Sequence, residues 1–421
     1  MTSDKLNRAL RDVAIPEPPE AQERGRQMVA AAFKERRSDD SEFRGAMAPT
    51  ISEGRSRRPL PRLALGLSLA ALLAVLLLSP AGAAVRNWVD DTFTASPPRP
   101  EPMLAKVPGG GRLLVQTGEG PVVVQPDGSK RLLGDYEGAS WSPHGLFVAA
   151  VKGRNLSALE PDGTRRWSIT AAQRVANPRW SPSGERIAYR SGESLRIVAG
   201  DGSGDHLVNP EIAPVVPAWS PFGTPELAYV NAEGQLRIAS SEKSASRSGA
   251  PPDMAGAVAG SRVRKIDWGA GGRSILEVSP GSLHLQGMRL NKLEGRSEFR
   301  RRTSLPIAPG ATVVDAALAP QQPLVAASVT FWKKHGTYSE AVIYRPGKQP
   351  RTLLSVPGSL GQVEWSPDGR RLLVAWPGAN QWLFLSLGRG RGRAIADISK
   401  AIAPSGRPTS FPLLAGWCCR R

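Results

Sequence analysis

Trp141-Ser142-Pro143-His144-Gly145 recurs as Trp180-Ser181-Pro182-Ser183-Gly184, Trp219-Ser220-Pro221-Phe222-Gly223 and Trp365-Ser366-Pro367-Asp368-Gly369. The first three copies, at 141, 180 and 219, start 39 residues apart. A fixed period of this size marks a repeat architecture, in which no unit buries its apolar face alone. After Trp141 come two apolar runs, Gly145–Val151 and Asn155–Leu159, then a Pro161-Asp162-Gly163 turn and a third run, Thr164–Ile169. Glycine supplies the positive φ of such a turn. With the strand that carries the tryptophan, the unit has four strands.

The same order follows Trp180, Trp219 and Trp365, with degenerate units at Trp268 and near Leu318. Residues 111–134 supply three further strands but no preceding tryptophan strand. The missing one lies at the other end of the chain, where Phe411–Cys419 carries Trp417. These units predict an all-β propeller over 109–421, closed by a C-terminal strand at 411–419. Seven blades are preferred and six are possible, at about 45 residues per blade. Closure by a shared sheet removes exposed strand edges.

The Trp-Ser-Pro-x-Gly pattern followed by charge and an apolar strand resembles the repeat of TolB-like and WD-type β-propellers. Trp365 through Leu372 follows it most closely. The resemblance covers about three quarters of the chain and implies fold rather than function, since this repeat serves unrelated partners. TolB has a different N-terminal domain, so its role does not carry over. The repeat residues Trp141, Pro143, Trp180, Pro182, Trp219, Pro221, Trp268, Trp365, Pro367 and Trp417 read as structural.

Upstream, residues 63–85 contain no charge, with Arg55, Arg57, Arg58 and Arg62 before them and Asp90 and Asp91 after. A bilayer core needs ~20 apolar residues as a helix. The positive-inside bias then keeps the N-terminus cytoplasmic and exports the propeller, as a single-pass protein of the cell membrane. A cleaved signal peptide is the rival reading, because Ala81-Gly82-Ala83 resembles a cleavage site. Residues 1–37 read as a helical cytoplasmic segment with a Leu6/Leu10/Val13 stripe, 38–62 as a basic linker and 86–108 as a Pro-rich linker.

The net charge of +18 suits nucleic acid, anionic lipid or an anionic cell-wall polymer, but because arginine and alanine also rise with genomic GC content, a bias of composition is the preferred account of it. Export argues against nucleic acid, so Gly388–Arg393 reads as a solvated loop. The two cysteines, Cys418 and Cys419, are adjacent and give neither a disulfide framework nor a zinc site. They read as small buried residues, with a vicinal disulfide as the alternative. No Gly-x-Ser-x-Gly or His-Glu-x-x-His occurs, and the four histidines fall in separate repeats. No catalytic residue, metal or cofactor is therefore expected, and a channel enzyme is disfavoured for want of an acid/base pair.

Phe331-Trp332-Lys333 is the candidate partner contact, an aromatic pair and a cation extending the fifth unit. The leading expectation is a non-enzymatic, membrane-anchored extracytoplasmic propeller that binds a protein or envelope ligand. The alternative is an anti-sigma-like transmembrane regulator, with a cytoplasmic protein held by residues 1–37.

Overall fold

In three of the Trp-Ser-Pro turns the serine holds the turn together. In a computed structural model of the chain, Ser366 Oγ accepts the Arg371 N–H at 2.9 Å and the Ser366 carbonyl accepts the Gly369 N–H at 2.8 Å. Ser142 and Ser181 repeat both bonds with their own downstream residues. Gly145, Gly184 and Gly369 take positive φ at 63°, 76° and 66°. A buried hydroxyl and a left-handed glycine thus turn these three inner strands back on themselves. The structure describes residues 100–101, 104, 106–221, 226–241, 263–269, 271–291, 296–333, 336–388, 392–408 and 410–419.

Seven sheets result, each built on antiparallel pairing of neighbouring strands, with one short parallel strand added at the outer edge of blade 7. Blade 2 is typical, with strands Gly138–Trp141, Val148–Lys152, Asn155–Leu159 and Arg165–Thr170. The inner strands of blades 3 to 7 are Val175–Trp180, Ala218–Trp219, Lys265–Trp268, Thr312–Leu318 and Val363–Trp365. Blade 4 has three described strands, and residues 242–262, which follow its third, lie outside the described set. Blade 1 takes three strands from the start of the propeller and Leu413–Cys418 from the end. Leu113 pairs with Trp417 in that closure. The fold is a seven-bladed β-propeller.

The core follows from strand alternation and from stacking of sheet on sheet. Clusters of buried aliphatic and aromatic side chains bridge neighbouring blades. One joins Leu113, Val115 and Trp417 of blade 1 to Leu373, Trp382 and Phe384 of blade 7. The repeat tryptophans stitch blades as well as fill them. Trp219 Nε1 donates to the Arg179 carbonyl of blade 3, and Trp365 Nε1 to the Ala317 carbonyl of blade 6.

Part of the stretch assigned to the Pro-rich linker is built into the ring. Pro100–Glu101 pairs parallel to Arg393–Ile395 at the outer edge of blade 7, and Leu104 and Val107 are buried. A short helix, Ile398–Ile402, buries Ile398 and Ile402 against the same blade cluster. The segments at 1–37, 38–62 and 63–85 lie outside the described residues. Among the described residues, no helix is long and apolar enough to cross a membrane.

The cysteines differ from the preferred expectation of two separate buried side chains. Cys418 and Cys419 are bonded to each other, with Cys419 at φ 71°. Their sulfurs fill the space under the blade 2 turn. A Cβ added at Gly145 would stand 2.3 Å from Cys419 Sγ and 2.5 Å from Cys418 Sγ. Arg112 Nη2 donates to the Gly145 carbonyl at 2.7 Å, and its guanidinium lies 5.1 Å over the Trp141 ring. Gly145→Ala should therefore cost about 2–4 kcal/mol, from the left-handed backbone plus steric displacement of the closure. Gly369→Ala, where the nearest foreign atom to a Cβ is Pro320 Cδ at 3.7 Å, should cost about 1 kcal/mol. Chemical denaturation of the two variants measures the difference.

Candidate functional site

The inner strands enclose an axial channel of about 860 Å³ to which all seven blades contribute. Its lining obeys a simple rule. Counting back from each repeat tryptophan, or from Leu318 in blade 6, the residues one and three positions earlier are among those that line it in all seven blades. The nearer ring is Gly416, Ser140, Arg179, Ala218, Asp267, Ala317 and Glu364. The farther ring is Leu414, Gly138, Asn177, Val216, Lys265, Asp315 and Gln362.

These rings divide the channel. Blades 1, 2 and 4 present Leu414, Gly416, Gly138, Ser140, Val216 and Ala218, which are small or apolar apart from one hydroxyl. Blades 5, 6 and 7 present Lys265, Asp267, Asp315, Gln362 and Glu364. Arg179 stands on blade 3, across the ring from the gap between blades 6 and 7.

Two of the carboxylates are structural. Asp315 takes Lys265 Nζ at 2.9 Å on one oxygen and the Val363 N–H at 3.0 Å on the other, so it ties blades 5, 6 and 7 together. Asp267 takes the Leu318 N–H of blade 6 at 3.0 Å. Burial pulls the Lys265 ammonium down, but the carboxylates of Asp315, Glu364 and Asp267 outweigh it and leave its pKa above the ordinary value. Lys265 stays charged.

Glu364 is different. Burial is the main cause that pushes its carboxyl up to about 7, Asp267 and Asp315 add to the rise, and Lys265 and Arg179 oppose it. No hydrogen bond is among those causes. A carboxyl poised near neutrality in a cleft is a functional-site signal. It is partly exposed and lines the channel.

Sequence reasoning located no charged set in the channel and missed Arg179, Lys265, Asp267, Asp315 and Glu364. What they share in sequence is a position one or three residues before a repeat tryptophan, or before Leu318, a spacing that marks the inner strands but not which of them meet across the channel. Among the described residues, no group of three or more His, Cys, Asp or Glu side chains is placed to hold a metal ion.

The predicted contact residues lie elsewhere. Val325–Lys333 and Gly336–Tyr344 form a hairpin in blade 6 whose last three pairs run past Thr312, the start of the inner strand. Near its tip Trp332 is 80% exposed, and Phe331 packs edge-on against Tyr338 at 4.9 Å. A second long hairpin, Ser282–Asn291 with Arg296–Leu305 in blade 5, runs past the other end of its sheet. The two therefore project from opposite faces. Of the repeat tryptophans, Trp180, Trp219, Trp268, Trp365 and Trp417 are buried, and Trp141 is half-buried beneath Arg112.

No family model and no curated protein matches this chain. Solved structures do resemble it. The β-propeller domain of Cps50 (Swd1) from Myceliophteria thermophila is 15% identical, with 67% of this chain and 99% of that one covered and a TM-score of 0.46. Hsv2 of Kluyveromyces lactis is 11% identical, with 70% and 95% covered and a TM-score of 0.46. A provisionally assigned 6-phosphogluconolactonase of Bacteroides uniformis is 14% identical, with 74% and 98% covered and a TM-score of 0.49. Each likeness is one of fold and transfers no activity. Fold and repeat together define the class: a seven-bladed β-propeller of WD-like repeats.

Proposed function

We propose that this protein is a non-enzymatic binding propeller, held at the cell membrane by residues 63–85 and displayed outside it, which grips a protein or anionic envelope ligand with one ring face. The observation that carries the reading is Trp332. A tryptophan that is 80% exposed near the tip of a hairpin longer than its blade requires serves no packing purpose. Exposed aromatics of this kind are typical anchors of binding interfaces. Leu413, 55% exposed at the start of the closing strand, lies on the same face. The +18 charge of the chain favours an anionic partner.

Two measurements test this. A photocrosslinking residue at 332, in cells, should give discrete adducts that the same residue at Leu207 does not; Leu207 is also exposed but sits on the outer strand of blade 3. Trp332→Ala should weaken capture of the crosslinked partner by about 2 kcal/mol or more, with folding stability unchanged to about 0.5 kcal/mol. Protease added to intact spheroplasts should digest a C-terminal tag. A protected tag, or identical crosslinks at both positions, would overturn the reading.

A further inference from the structure

We propose that the axial channel is a binding site for a small zwitterion with an apolar body, a short peptide with free termini, whose ammonium group docks at Glu364 and Asp267 and whose carboxylate meets Arg179. This site is separate from the Trp332 surface and does not depend on where the propeller is displayed.

Three features of the channel carry this. The first is size, since about 860 Å³ falls within the range of small-molecule sites. The second is the placement of charge. Lys265 and Asp315 neutralise each other, and Asp315 is also held by the Val363 N–H. What remains for a ligand is anionic on blades 5 and 7, from Asp267 and Glu364, and cationic on blade 3, from Arg179. Glu364 feels Arg179 electrostatically across the axis, so the two lie within reach of one bound molecule.

The fold uses the Arg179 carbonyl, which accepts from Trp219 Nε1, while its guanidinium stays exposed in the channel. Asp267 spends one oxygen on the Leu318 N–H, and Glu364 accepts no hydrogen bond among the described residues. A guanidinium and a carboxyl left open on opposite walls suit a ligand that carries both charges, because each then gains a desolvated, charge-assisted partner. The third feature is the apolar sector. Val216 and Ala218, both half-buried, line the wall of blade 4 and offer contact to aliphatic side chains. A simple cation would leave Arg179 unanswered, and a simple anion would face Glu364 and Asp267.

The experiment titrates the purified full chain calorimetrically with L-alanyl-L-alanine, N-acetyl-L-alanyl-L-alanine and L-alanyl-L-alaninamide. The free dipeptide should bind saturably at one site, and each blocked form at least about tenfold more weakly. Glu364→Gln should shrink the penalty of acetylation to about threefold or less while keeping that of amidation; Arg179→Gln should do the reverse. Arg179 is exposed, so its variant keeps the test open even if Glu364→Gln alters the fold. Absence of saturable dipeptide binding overturns the proposal. So does equal binding of free and blocked forms, or a variant that leaves its own penalty intact.

Discussion

Deleting residues 411–421 is expected to abolish the cooperative unfolding transition of the propeller, and Trp417→Ala to cost about 3–5 kcal/mol. The closing strand Leu413–Cys418 is the inner strand of blade 1, and without it Arg112–Thr117 becomes an open sheet edge facing the channel. Trp417 is buried and meets Phe384 of blade 7 edge-on at 5.7 Å. Its Nε1 donates to the Gly110 carbonyl at 2.8 Å, fixing the entry of the chain into the ring. One side chain therefore joins the tail, the head and the last blade. Against a typical total stability of about 5–15 kcal/mol, such a loss is a large share. Denaturant unfolding gives the magnitude, and hydrogen exchange should show the opening first at Gly138–Trp141 and Val363–Trp365, the inner strands on either side of the seam. A Trp417→Ala variant within about 1 kcal/mol of the parent would mean that the ring is held elsewhere.

The blades were legible because their chemistry is local. Trp-Ser-Pro-x-Gly encodes a buried hydroxyl, a turn and a left-handed glycine within five residues, and each part occupies that role in the structure. The head-to-tail closure was legible for a related reason: three strands without a tryptophan at one end matched one tryptophan strand at the other. Blade 6 shows how a degenerate repeat survives. It has Leu318 in place of a tryptophan, and the Leu318 N–H is secured by Asp267 of the preceding blade. The channel was not legible as chemistry. Asp267, Asp315 and Glu364 are far apart in sequence, each looks like an ordinary polar residue beside an apolar run, and only ring closure brings them together. The cysteine pair is a similar case, since adjacency alone does not reveal a positive φ at Cys419 or the close approach of both sulfurs to Gly145. The exposed position of Trp332 was legible because its hairpin outruns the repeat.

Glu364 should make the propeller lose stability as pH rises through neutrality, opposite to the usual behaviour of a carboxylate in an ion pair. Its folded pKa of about 7 lies above the ordinary 4.5, with burial as the largest cause. Between those values the native state keeps a proton that the unfolded chain has released. The contribution is therefore complete below about 4.5 and is lost as pH climbs through about 7. Its ceiling is about 3 kcal/mol, reduced to the extent that water in the channel screens the charge. Glu364→Gln replaces the carboxyl with a group that stays neutral, so variant and parent should have similar stability at pH 5, and the variant should be the more stable at pH 8 by about 1–3 kcal/mol. Lys265→Met sharpens the test. The lysine opposes the rise at Glu364, so its removal should carry the pH-dependent loss to higher pH, on top of a uniform penalty for leaving Asp315 without its ion pair. Denaturant unfolding across pH 5–8 reads all three proteins. A difference between Glu364→Gln and the parent that stays constant over that range would show that Glu364 ionises freely and that the channel does not isolate it from bulk water.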